Sequence, residues 1–269
     1  MLVPLGMGAI LVRLNLPGFE LTDRLLSHGF SRRGWELGAI VLGAAVMVVV
    51  GAVDDRYELG AGAKFCGQLV AAALAAIGGA RITLFVHNEF FSYAVTMLWI
   101  LTVTNAFNFM DNMNGLCAGL GAIAAWCFAC IAAVDGQYLV ALLGLVMCGA
   151  LLGFLPHNFP KASAFLGDAG SHLVGYLLAV MAILPHFFNR QDPRQWAVLL
   201  PLMVLAVPLG DLAWVVLIRV RLKKPVYVGD TNHLSHRLVR RGMSRERAVV
   251  LIWLLAVVLG SIAILIVLR

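Results

Sequence analysis

Eight apolar runs of 17 to 23 residues recur along the chain, at about 36–53, 64–80, 91–107, 115–134, 138–156, 171–188, 196–218 and 247–268. A bilayer's hydrocarbon core is about 30 Å thick and takes roughly 20 helical residues to cross, so each run has the length of a membrane span. Composition agrees: of 269 residues, 61% are hydrophobic and 13% charged, with a mean hydropathy of +0.91, against about 25% charged residues in a soluble domain. A further run at 2–16 is short, contains Pro4, Gly6 and Gly8, and reads as part of a longer span. The expectation is an all-α, polytopic integral membrane protein of about nine transmembrane helices, the first partial, in one membrane-embedded domain over 1–269. Phe19 to Trp35 is polar and reads as a solvated connection; Arg81 to Phe85 (RITLF) has strand-like composition and reads as a small ribbon. Pro201 and Pro208 predict a kink or break in the span they share. A basic n-region and a small-residue cleavage site are both missing, so no cleavable signal is visible.

Between two of these runs lies Asn105 to Leu116, NAFNFMDNMNGL. Amides and a carboxylate facing lipid would leave hydrogen-bonding capacity unsatisfied, so such a cluster faces a cavity, a partner or a site, and Asp111 is a functional candidate. An ordinary turn-forming loop is the competing reading. Parity weighs against it. Polar clusters follow every second run: Asp54 and Asp55, then Asn105 to Asn114, His157 to Ser171, and Arg219 to Arg247. All four therefore share one face of the membrane. That face collects twelve of the twenty Lys and Arg residues, which the positive-inside rule makes cytoplasmic, with Arg24, Arg32 and Arg33 partly offsetting the bias.

The clusters carry recognisable chemistry. Asp54 and Asp55 end one run in GAVDDRYELGAGAKFCGQ; adjacent carboxylates repel, so a cation is expected nearby, and Lys64 or Arg56 could supply it. Lys64 also suits an interfacial anchor that snorkels. In AFLGDAGS, Asp168 sits among small residues that admit close approach of a bound group. A carboxylate with amide oxygens is hard-cation chemistry, magnesium above all, since that ion needs few protein ligands when phosphate oxygens complete its shell. Asp168 or Ser171 could instead cap a helix, and Phe165 could pack or stack on a base. His233, His236, Arg237, Arg240 and Arg241 would line one stretch of helix, suited to phosphate or to anionic lipid. The net charge of +6 suits lipid headgroups or an anionic substrate as readily as nucleic acid. Cys127 and Cys130 share a helix face, but without a second pair they read as packing residues.

DD followed by a Lys, NAFNxxD with a trailing NGL, FLGDAGS, and HLSHRL after a PLGDLAW-bearing span together resemble the polyprenyl-phosphate N-acetylhexosamine-1-phosphate transferases. The wording is closer to their WecA-like branch than to their MraY-like branch. The resemblance implies a magnesium-dependent enzyme, with manganese as a substitute, in which a polyprenyl phosphate such as undecaprenyl phosphate attacks a UDP-sugar such as UDP-GlcNAc and expels UMP. It implies a metal site at Asp168 and Asn108, and catalytic roles for Asp54, Asp55 and Asp111. It implies substrate binding by Lys64, Asn105, Asn114, Phe165, His233, His236 and Arg237. The partners it implies are the UDP-sugar, the polyprenyl lipid and the membrane, with a homodimer as one option and no nucleic acid. It implies a location in the inner cell membrane and a product that serves envelope polysaccharide synthesis. Asn114 stands where a second aspartate is usual and Ser235 where the family has its middle histidine. A complete span normally precedes the loop that Val3 to Ala9 resembles, so the chain is expected to lack part of the usual N-terminus.

Two other readings compete. A secondary transporter predicts an inverted repeat and polar residues at span centres; no repeat is visible and the polar residues gather at one face. An inactive homologue kept as an assembly partner is compatible with Asn114 and Ser235.

Overall fold

The structure is a computed structural model that describes residues 20–83, 86, 88–185, 198–225 and 231–268, with the side chains of 20–32 left out. Ten helices make up the described residues, and no strand occurs among them: α1 Glu20–Tyr57, α2 Ala61–Gly78, α3 Glu89–Met110, α4 Leu116–Val134, α5 Tyr138–Asn158, α6 Gly167–Met181, α7 Leu200–Val204, α8 Ala206–Arg221, α9 Leu234–Arg240 and α10 Arg245–Val267. Six contain stretches long and apolar enough to cross a membrane: α1 from Arg33 onward, then α2, α3, α4, α5 and α10. The chain is thus an all-helical, polytopic membrane protein.

Several sequence expectations change. The polar stretch read as a connection is helical from Glu20 and runs unbroken into the first described span; it contains helix formers and no proline, and hydropathy reports solvent preference rather than backbone state. Arg81 to Thr83 form no strand, and residues 84 and 85 of that expected ribbon lie outside the described residues. The run at 2–16 lies outside them too. The run at 171–188 corresponds to α6, which starts earlier, at Gly167, and ends at Met181. The proline expectation is met: the run at 196–218 is divided between α7 and α8 at Leu205. Pro208 has no N–H to donate to Val204, and its ring would clash with that carbonyl, so the first piece stops there.

Small residues bring the central helices together, as expected where lipid offers no hydrophobic drive for association. A Cβ on Gly51 of α1 would collide with the Ala169 backbone of α6, so these helices touch backbone to backbone. α4 is the most enclosed helix, with Leu116, Phe128 and Ile131 fully buried. Trp99 donates its indole N–H to the Ala179 carbonyl at 3.1 Å, tying α3 to α6 within the bundle. The ends of α1, α3 and α5 and the starts of α2, α4 and α6 meet at one end, which is where the polar side chains converge. At the start of the membrane-spanning part of α1, Arg33 donates to the Leu184 carbonyl at 3.5 Å.

Candidate active site

Helix ends place the site. Asp54 closes α1, is 3% exposed, and accepts the Leu59 N–H at 2.7 Å as the chain turns into α2. Lys64, in the first turn of α2, pairs with the Asp54 carboxylate and reaches Asp168 Oδ2 at 3.1 Å. One ammonium thus bridges two carboxylates on different helices, Asp54 of α1 and Asp168 of α6, and is the cation that the Asp pair required. On the other side of Asp168, Asn108 at the end of α3 donates to Oδ1 at 2.7 Å and to Ser171 Oγ at 3.0 Å. Burial alone would push the Asp168 carboxyl up, but hydrogen bonding with Asp54, Lys64 and Asn108 outweighs it and holds Asp168 below the usual carboxylate range.

Asp55 turns the opposite way from Asp54. Its carboxylate accepts the backbone N–H of Asp168 at 2.7 Å and of Ala169 at 3.2 Å. The cap of α6 is therefore neither Asp168 nor Ser171 but a residue of another helix, placed where unpaired N–H groups and the positive end of the helix dipole favour an anion. Gly167 makes the approach possible: its φ is +62°, and a Cβ there would lie 2.6 Å from Asp55 Oδ2.

Asp111 follows α3 and is half-buried. Burial, then the charges of Asp168 and Asp55, push its carboxyl up to about 6.

A second group gathers around the His motif. His233 is buried, and its Nδ1 lies 2.6 Å from Asp211 Oδ2 of α8, while Asp211 Oδ1 accepts the Leu234 N–H at 2.6 Å. Phe109 meets the His233 ring edge-on with centroids 5.6 Å apart, and the Arg219 guanidinium lies 5.0 Å from the Phe109 ring centre. Ser235 donates to Asn112 Oδ1 at 2.7 Å. Consecutive parts of the NAFNFMDN stretch thus serve two groups, Asn108 the carboxylates and Phe109 with Asn112 the His motif.

The remaining predicted residues are less central. His236 lies 6.2 Å from His233 between ring centres; burial, then His233, Arg240 and Arg245, lower its tendency to hold a proton. Arg237 stacks on Trp214 at 4.6 Å. Asn114 is exposed and donates to the Pro160 carbonyl at 3.3 Å. Phe165 is 74% exposed at the rim. Asn105 is tied to Gln68, with its Nδ2 2.7 Å from Gln68 Oε1. Sequence reasoning gave no site role to Gln68, His172 or Asp211, and counted Arg219 only among the basic residues of the shared face. The first three were visible as single polar residues inside apolar runs, the signal that intramembrane function gives by default.

Comparison with known proteins now bears on this geometry. Residues 37–186 match the model of the family described as Glycosyl transferase family 4, and the chain belongs to that family. It is 32% identical over 84% of its length to the "Probable undecaprenyl-phosphate N-acetylglucosaminyl 1-phosphate transferase" of Bacillus subtilis, of which it covers 64%. It is 36% identical over 80% of its length to the decaprenyl-phosphate N-acetylglucosaminephosphotransferase of Mycobacterium leprae, covering 61%. It is 28% identical over 82% of its length to the undecaprenyl-phosphate alpha-N-acetylglucosaminyl 1-phosphate transferase of Yersinia pestis, covering 63%. The chain therefore spans less than two thirds of the length of these relatives.

Proposed function

We propose that this chain carries out sugar-1-phosphate transfer from a UDP-sugar, GlcNAc-1-phosphate foremost, to a polyprenyl phosphate in the inner membrane, with the site facing the cytoplasm and about nine spans in all. The observation that carries the proposal is the convergence of Asp54, Lys64, Asn108 and Asp168 with Asp55 and Asp111 at one end of the bundle; the names of the relatives point the same way. In the reaction a lipid phosphate oxygen bonds to the phosphorus bearing the sugar, the bond from that phosphorus to the UMP oxygen breaks, and UMP leaves with the electron pair. Such a transfer is mainly a matter of positioning and charge neutralisation.

The residues divide that work. Lys64 keeps a fixed positive charge beside Asp168, and Asn108 orients the Asp168 carboxylate. Asp168, with the carbonyl oxygen that Asn108 does not spend on Asp168, would hold magnesium, or manganese in its place; when bound, the ion offsets diphosphate charge. The donor set fits, being all oxygen. Among the described residues no three His, Cys, Asp or Glu form a metal cage, as suits an ion completed by substrate oxygens. Asp111, with its carboxyl near 6, is tuned to take a proton from an incoming phosphate monoester at neutral pH. Asp54 is buried against Lys64 and Asp55 is held by α6, so their part is to build the site. His233, Arg219 and Arg237 offer cations and rings to a nucleotide phosphate and base.

Membranes carrying the protein, incubated with radiolabelled UDP-GlcNAc and undecaprenyl phosphate, should yield an extractable lipid-linked sugar diphosphate and UMP in equal amounts. Asp168→Asn should yield neither. Label in lipid without UMP release, or normal turnover by Asp168→Asn, would refute this reading.

A further inference from the structure

Directly beneath the carboxylate layer lies a second polar layer built from the same three helices. Lys64, Asn108 and Asp168 form the upper layer. Gln68 lies one helical turn below Lys64 on α2, Asn105 one turn below Asn108 on α3, and His172 one turn below Asp168 on α6. These three also meet. Asn105 Nδ2 donates to Gln68 Oε1 at 2.7 Å, Gln68 Nε2 faces Asn105 Oδ1 at 3.4 Å, and Gln68 Nε2 lies 3.1 Å from His172 Nε2. Because Asn105 Nδ2 also donates to the Leu101 carbonyl, the orientation of the amide pair is fixed, which leaves Gln68 Nε2 as the donor and His172 Nε2 as the acceptor. Gln68 is 2% and His172 1% exposed. Asn105 is anchored once more, donating to the Leu101 carbonyl of its own helix at 2.8 Å.

Apolar side chains would fill this volume at no desolvation cost, and buried polar groups are otherwise expensive. What the polar trio adds is direction: three hydrogen-bonded side chains allow one rotation and one height of α2, α3 and α6 relative to each other, whereas apolar packing tolerates several. The helices so fixed are those that aim Lys64, Asn108 and Asp168.

We propose that Gln68, Asn105 and His172 are positioning residues whose hydrogen-bonded layer sets the geometry of the Lys64–Asp168–Asn108 layer one turn above. The inference rests on the transferase reading, and its effect should fall on turnover rather than on substrate capture. Displacement of a reacting group by about 1 Å can cost on the order of 100-fold in rate.

The test compares Gln68→Met, which removes the hydrogen bonds to Asn105 and to His172 at similar volume, with a triple variant carrying Gln68→Leu, Asn105→Leu and His172→Leu. Replacing all partners by apolar groups leaves no buried group unsatisfied and can be nearly neutral for stability. Both variants should insert and remain monodisperse. Each should lose roughly 10- to 100-fold in kcat while KM for the UDP-sugar changes by less than about threefold. A triple variant that is as stable as the wild type and equally active would overturn the proposal, because packing alone would then suffice. Wild-type activity is read first, which separates failure of the transferase reading from failure of this one. A readout free of activity accompanies it: nitroxides on the exposed Cys66 of α2 and on Phe165→Cys before α6, with the other cysteines replaced by Ala. Gln68→Met should broaden the distance distribution between them; an unchanged distribution would also overturn the proposal.

Discussion

Asp55 and Asp168 are 113 residues apart in sequence, yet the carboxylate of the first accepts the backbone N–H of the second at 2.7 Å. The end of α1 thereby fixes the start of α6, and with it the direction in which the Asp168 side chain leaves its helix.

That contact sets the first prediction. An N-terminal cap is worth about 1 kcal/mol, so Asp55→Ala should lower the melting temperature in detergent modestly while reducing turnover far more. Asp55→Asn keeps one acceptor oxygen and should fall between the two. Gly167→Ala should mimic Asp55→Ala, since its Cβ would enter the space of the Asp55 carboxylate and strain a backbone at φ +62°. Equal activity of Asp55→Ala and the wild type would remove the cap from the site's construction.

Lys64 sits between two carboxylates, one of them with only 1% of its side chain exposed. Removing the cation in Lys64→Met leaves Asp54 buried and uncompensated. A fully buried partner loss costs about 3–5 kcal/mol, and the partial exposure of Lys64 scales this to roughly 1–3 kcal/mol. Adding Asp54→Asn to Lys64→Met should recover much of that stability without recovering activity. Thermal unfolding of the four corners of this double-mutant cycle measures the coupling. Purely additive effects would contradict the bridge.

Asp111 gives a pH dependence with a definite sign. Its carboxyl is raised from 3.8 to about 6, so the folded state holds this proton more tightly than the unfolded chain. The resulting stabilisation is complete below pH 4 and lost as pH rises through 6, a difference of about 3 kcal/mol at most. Asp111→Asn cannot ionise. Its melting temperature relative to the wild type should therefore climb between pH 4 and 6 and stay higher at pH 7.5 in chelator-treated buffer, although turnover is lost. A difference that does not vary with pH would contradict burial of the Asp111 charge.

Topology follows from the meeting of helix ends. Single cysteines at positions 58 and 161, which flank the carboxylate layer, and at position 232, beside the His motif, should react with a membrane-impermeant reagent from one and the same side. That side should be the cytoplasm. Reaction of 58 and 232 from opposite sides would separate the two halves of the site.

Much of this was legible in the sequence where physics makes exceptions conspicuous. Asp54, Lys64, Asn108 and Asp168 stood out because each closes or opens an apolar run, and the break before Pro208 followed from its missing N–H. The Asp55 cap was not legible, since proximity in the fold has no counterpart in a separation of 113 residues. Gln68 and His172 escaped because a lone polar residue within an apolar run carries no partner's name; only the alignment of α2, α3 and α6 joins them. The helix from Glu20 escaped because its polarity was mistaken for irregular backbone.

The last prediction concerns Asp211 and His233. Asp211 uses both oxygens, Oδ2 toward His233 Nδ1 and Oδ1 to accept the Leu234 N–H, each at 2.6 Å. The carboxylate thereby places a proton on Nδ1, leaves Nε2 as the ring's free atom, and anchors the start of α9. A His that meets substrate through Nε2 depends on this partner for both tautomer and orientation. His233→Ala and Asp211→Ala should therefore each reduce kcat/KM by a similar factor, about 10- to 100-fold, with most of the loss in KM for the UDP-sugar if the ring meets the nucleotide diphosphate. The double variant should be no worse than the poorer single one, because the second change removes a group already out of place. Asp211→Asn separates the two duties: its side-chain oxygen can still accept the Leu234 N–H, but its NH2 facing Nδ1 would force the ring into the other tautomer. It should resemble Asp211→Ala in kinetics and the wild type in stability. Wild-type kinetics for Asp211→Asn would show that the tautomer is immaterial, and fully multiplicative losses in the double variant would show that the two residues act apart.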